Sequence, residues 1–146
     1  MYFEMVGGTK EQRHIIEAVA EEAGRVLGLS RFPSLWVQLT LKRMKGGYHG
    51  TCSNEDVETP AKPRYFEVDI EKNLKLMDMV VAVCHELIHV KQYVKREMVE
   101  DWYTGEVKWK GRKVAGDTKY REQPWEKEAF GLEAEIANKV LERVKI

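Results

Sequence analysis

Cysteine is scarce in this chain: Cys52 and Cys84 are the two present in 146 residues. Two thiols make no disulfide framework, and their distance apart excludes a C-x-x-C zinc knuckle, so a reducing, cytoplasmic setting is expected. An excess of one charge is missing too, because 24 Lys and Arg balance 24 Asp and Glu. Without a basic patch or a block of like charge, no nucleic-acid partner is expected. Long hydrophobic runs are absent as well. The longest, Met79 to Cys84, has six residues, against roughly 20 for a bilayer span, so no membrane partner is expected. The opening MYFEMVGGTK has no basic start followed by an apolar segment, and a cleaved secretion signal is not indicated.

Histidine is also rare, with four in the chain, yet two of them stand in His85-Glu86-Leu87-Ile88-His89, the pattern H-E-x-x-H. Shuffling this composition produces that pattern about once in a hundred trials. Residues four apart on a helix lie one above the other, so both imidazoles can reach one ion while Glu86 projects beside them. Two neutral imidazole nitrogens suit tetrahedral Zn²⁺ with a position left for water, and the adjacent carboxylate can take a proton from that water. The expected cofactor is therefore Zn²⁺, one per chain, with Glu86 as general base.

The surrounding pattern predicts an α+β chain of one domain over residues 1–146. Ile15, Ile16, Val19, Ala23, Val26 and Leu27 predict a helix from about Lys10 to Leu27, with Thr9 as cap and Gly28 as stop. Alternating Leu35, Val37, Leu39 and Leu41 predict a strand. A Gly-rich loop then runs from Gly46 to about Pro63, with a second short strand in GYHGTCS. RYFEVDI is a third strand. The motif helix is expected from about Leu74 to Glu97, capped by Asn73, with Ala82, His85, His89, Gln92 and Arg96 on one stripe. Val107 to Val114 reads as a hairpin, and Pro124 opens a last helix from Trp125 to about Val144. Cys84 reads as a buried small side chain. The exposed aromatics Trp102, Tyr103 and Trp109 suit ordinary loop packing, a substrate groove or a partner surface.

A catalytic zinc normally has three protein ligands, so one more is needed. His14, His49, Glu126 and Glu128 are the candidates. Glu126 shares a stripe with Ala129, Phe130, Glu133 and Ala137, whereas Glu128 shares one with Trp125, Leu132 and Glu135. The small residues of the first stripe allow close helix approach and favour Glu126; both acids also suit a helix N-terminus.

HELIHVKQY followed some 30 residues later by PWEKEA resembles the gluzincin-type metallopeptidases, closest to small phage and prophage metallopeptidases and more distantly the SprT-like and ImmA/IrrE-like groups. The resemblance is strong over residues 80–93 and 124–135 and weak over GYHGTC and RYFEVDI. It implies a small zincin-like domain: an N-terminal helix, a three-stranded, mostly antiparallel sheet packed on the H-E-x-x-H helix, and a C-terminal helix carrying the ligand. In the ImmA/IrrE-like and membrane-bound gluzincin patterns the ligand is the Glu three residues before the Ala of E-x-x-A, which corresponds to Glu126 before Ala129. Where they carry Asp or Asn after that Ala, this chain has Phe130, and the zinc ribbon common in SprT-like proteins is missing. The resemblance implies hydrolysis of a peptide or protein substrate, in the host cytoplasm if phage-encoded. Tyr120 and His49 are candidates to stabilise the transition state, and Gln92 or Tyr93 to orient a ligand. A protein that keeps the zinc site and acts by binding a regulatory partner is the alternative.

Overall fold

The computed structural model describes residues 1–59 and 61–145; Pro60, inside the expected Gly46 to Pro63 loop, lies outside them. Among the described residues ten strands and α-helices follow one another. They are β1 (Tyr2–Gly7), α1 (Lys10–Val26), β2 (Trp36–Lys42), β3 (Gly50–Asn54), β4 (Tyr65–Glu71), α2 (Leu76–Val94), β5 (Met98–Glu100), β6 (Val107–Trp109), β7 (Arg112–Val114) and α3 (Pro124–Arg143). Among the described residues no helix is long and apolar enough to cross a membrane.

The main sheet has four strands in the order β1-β2-β4-β3. β1 and β4 both run parallel to β2, and only β3 is antiparallel to its neighbour β4. This corrects the expected three-stranded, mostly antiparallel sheet. The missed strand is β1, whose six residues alternate Phe3 and Met5 inward with Tyr2 and Glu4 outward. α1 carries the chain from β1 back to β2, and such a crossover is what parallel neighbours require.

Strand register builds the inner face in rows. Phe3, Val37 and Phe66 form one row; Met5, Leu39, Val68 and Cys52 the next; Gly7, Leu41, Ile70 and Gly50 the last. Period-2 alternation therefore buries Val37, Leu39, Leu41, Phe66, Val68 and Ile70 together. The outer face carries Tyr2, Trp36 and Tyr65, whose rings touch across three strands.

Helices cover the inner face. Thr9 and Gln12 form a reciprocal capping box at the start of α1, and Gly28 follows its end with φ 76°. α2 lies between the sheet and the other helices and is buried on nearly every side, from Met79 to Val94. It begins later than expected. Glu71 accepts the backbone N–H groups of Met44 and Asn73, each at 2.9 Å, which holds Asn73 in a turn and leaves Lys75 as the cap. It also ends sooner. Arg96 adopts φ 62°, and the N–H groups of Arg96 and Glu97 donate to Tyr93 and Gln92, a Schellman closure built without glycine.

The expected hairpin is β6–β7, turned by Lys110 and Gly111, both at positive φ, as a two-residue primed turn needs. β5 pairs with β6 and makes it a second, three-stranded sheet, an addition the polar stretch after α2 did not announce.

Gly7, at the end of β1, has φ 76° and no room for a side chain: a Cβ there would lie 2.3 Å from the Leu41 carbonyl oxygen. Gly7→Ala should therefore cost about 1–3 kcal/mol of stability, read as a lower denaturant midpoint with unchanged m-value.

Candidate metal centre

Why α2 tolerates a polar stripe in its buried middle is a question of pairing. His85, His89 and Gln92 are all at most 6% exposed, yet each ring nitrogen and amide atom finds a partner on α2 or α3. Opposite them α3 presents Glu126, also 6% exposed. Ala129 and Ala137 on the same stripe are buried in the interface, so the two helices approach closely enough for Glu126 to reach both imidazoles.

His85 Nε2 lies 3.1 Å from Glu126, and His89 Nε2 lies 3.1 Å from each of its carboxylate oxygens. One ligand atom from each of the three residues falls within 4.8 Å of the others. This buried group can hold a metal ion. Glu128 does not join it. Two residues on, it faces a different way, accepting from Lys91 at 2.8 Å and from Gln92 at 3.2 Å. His14 and His49 stand apart as well: both are exposed, although His49 lines a neighbouring cavity.

The outer ring nitrogens decide the chemistry of the inner ones. His85 Nδ1 lies 2.7 Å from Glu133, an acceptor when ionised, so this nitrogen carries the hydrogen. Gln92 uses its NH₂ to reach the Trp125 carbonyl at 2.9 Å. Its Oε1 therefore faces His89 Nδ1 at 2.8 Å and accepts from it. In the neutral rings both Nε2 atoms are then lone-pair acceptors, aimed at a carboxylate that also only accepts. Such an arrangement is satisfied in two ways: by protons on both rings, or by one cation among the three groups.

The charge balance of the ion-free site follows. Burial works to lower the pKa of His85 and of His89, but the hydrogen bonds to Glu126 and the nearby Glu86 charge outweigh it and raise both. Burial alone would raise Glu126; hydrogen bonds from the two imidazoles and their charge bring it down to about 2. Glu86 has no such partner. Burial pushes it up to about 7, against the opposing pull of His89 and His85.

Glu133 is the residue the sequence reading did not assign a role. It lies seven positions after Glu126 on the stripe already drawn through Ala129 and Phe130, and that spacing was the available signal. Phe130, standing where the resembled families have Asp or Asn, packs its ring on His85 with centroids 4.6 Å apart. The guanidinium of Arg121 in turn covers Phe130 at 3.8 Å.

Two cavities of about 250 and 290 Å³ flank the cluster, and Tyr48, Gly50, Glu86 and Tyr120 border both. Gly50 sits there for lack of space: a Cβ would lie 2.9 Å from Ile70 Cδ1 and 3.0 Å from Glu86 Cγ. Tyr120, half exposed just before α3, has its phenol pKa raised by burial and then by Glu126. Cys84 is buried; Cys52 borders the first cavity, its thiol held protonated by burial and by Glu86, Glu100 and Glu126.

Comparison with models of known protein families, with curated proteins and with solved structures gives no match.

Protonation and ion binding compete here, with a definite sign. The raised His85 and His89 stabilise the ion-free fold below their unfolded pKa near 6.5, and this is lost as pH rises through their folded values. Glu86, moved from 4.5 to about 7, likewise costs stability as pH rises across that interval. Glu126 contributes above 4.5 and stops contributing only as pH falls toward about 2. Metal-free protein should thus have a higher denaturant midpoint at about pH 6 than at about pH 8, with added divalent transition metal reversing the order. Glu133→Ala, which frees His85 Nδ1, should weaken metal affinity by about 10–100-fold, measured by chelator competition.

Proposed function

We propose that the chain is a zinc-dependent peptidase of gluzincin type, with His85, His89 and Glu126 as ligands in a zincin-like arrangement. The observation that carries this reading is the convergence of two Nε2 lone pairs and one carboxylate, with both Nδ1 atoms already engaged elsewhere. Two imidazoles and one carboxylate are the donor set of hydrolytic zinc sites that keep a fourth position for water. Ligand atoms bonded to one tetrahedral Zn²⁺ at about 2.0–2.1 Å are roughly 3.3 Å apart, close to the 3.1 Å separations here. When bound, zinc supplies a Lewis acid that acidifies water and polarises a carbonyl.

The protein's own groups account for the proton traffic. Glu86 is buried beside the ligands and borders both cavities. With a pKa raised to about 7, it is suited to take a proton from attacking water and deliver it to the departing amine near neutral pH. Tyr120, its phenol held protonated, stands beside Glu126 at the mouth of both cavities. It donates a hydrogen bond to the oxygen on which charge develops. Glu133 and Gln92 hold the imidazoles in the tautomer that leaves Nε2 bare.

An extended peptide fits the cleft. β3 ends the sheet, so one of its backbone edges is unpaired among the described strands, and Gly50, Thr51 and Cys52 line the cavity beside Glu86. Main-chain pairing along such an edge holds a substrate whatever its side chains.

Zinc content and hydrolysis test the reading together. Wild-type protein and Glu86→Gln should each retain about one zinc per chain, and Glu126→Ala markedly less. Cleavage of casein should fall by about 10²–10⁴-fold in Glu86→Gln. A metal-free wild type, or undiminished cleavage by Glu86→Gln, would overturn it.

A further inference from the structure

The cavity lined by His89, Glu86 and Glu126 has a further wall of residues that hydrolysis does not use. They are Tyr93, Met98, Val107 and Trp125, and Glu100 stands among them. Strand pairing fixes the position of Glu100, which ends β5 opposite Val107 of β6. Its carboxylate accepts the Tyr93 hydroxyl. Among the described residues no cationic group forms an ion pair with it.

Most carboxylates at the seam of α2 and α3 do have a counter-charge. Glu97 and Glu128 share Lys91, Glu22 pairs with Arg25 and Arg143, and Glu126 and Glu133 pair with imidazoles. Among the described residues Glu86 and Glu100 have no such partner, and both line the same cavity. Glu86 has its use in proton transfer. Glu100 is half-buried, and a carboxylate partly shielded from water and without a cation is one that a bound cation would stabilise. The surroundings specify what kind of cation: apolar walls suit an aliphatic stem, and the carboxylate and the Trp125 ring suit a charged head.

We infer that this wall of the cleft is a subsite for a basic side chain, Lys or Arg, of the substrate, with Glu100 as its counter-ion. The inference rests on the peptidase reading for its substrate, and its test separates the two. N-acetylated, C-amidated peptides of one sequence, carrying Lys, Arg, norleucine or Glu at each position in turn, serve as probes. Cleavage by zinc-loaded protein is read by mass spectrometry, and binding to Glu86→Gln protein by fluorescence anisotropy. Lys and Arg should exceed norleucine by at least about tenfold at one position. Glu100→Gln, which keeps an acceptor for Tyr93, should bring them level while leaving the norleucine peptide unaffected, and Glu100→Lys should favour the Glu peptide.

Equal handling of Lys and norleucine peptides, a preference that survives Glu100→Gln, or no binding of any peptide would overturn the subsite. So would a Glu100-dependent preference for the norleucine peptide left unacetylated, with its free α-amino group, over the acetylated one. Lys-dependent binding without any cleavage would uphold the subsite and count against hydrolysis alone.

Discussion

Four groups that cannot satisfy one another without a positive charge are held between α2 and α3, and much of the architecture serves that requirement. His85, His89, Glu86 and Glu126 are each at most 6% exposed, where water cannot offset an unbalanced charge. α2 is walled by the sheet, α1 and α3, so its polar stripe has to be answered by side chains. α3 answers with Glu126 and Glu133, set seven residues apart on the face that Ala129 lets come close. Gln92 completes the seam by bonding His89 and the Trp125 carbonyl at once. Lys91, shared by Glu97 and Glu128, neutralises the acids at its rim.

The sheet contributes its edge. Because register puts Gly50 and Cys52 at the ends of two inward rows, the part of β3 nearest Glu86 carries small side chains where its neighbours carry Val68 and Ile70. Ile70 and Glu86 close on Gly50, and Cys52 borders the cleft. The second sheet contributes Met98, Glu100 and Val107 to the wall of that cleft. Parallel pairing of β1, β2 and β4 places the antiparallel strand at the rim.

Much of this could be read from residue spacing. Period-3.6 and period-2 patterns located three helices and three of the main strands, because burial on one face forces those periods on a sequence. The H-E-x-x-H spacing announced two of the three clustered residues, and the comparison of stripes favoured Glu126 over Glu128 as the third. What was misread is instructive. β1 is short, and its partner β2 lies beyond a whole helix, so nothing local announces the pairing. The ends of α2 moved inward because Glu71 and the left-handed Arg96 hold turns, and neither carries a strong local signature.

Sequence by itself determined the helix faces, the strand alternation and the identity of the groups at the centre, since these depend on chemistry and on separations of a few residues. Tertiary structure alone decided the sheet order, the choice of Glu133 as partner of His85, and that of Gln92 over Tyr93 as partner of His89. It also decided that Glu100 shares a cavity with Glu86. Each of those is a matter of distance between residues far apart in the chain, and such distances are set by how the buried faces pack rather than by any local pattern.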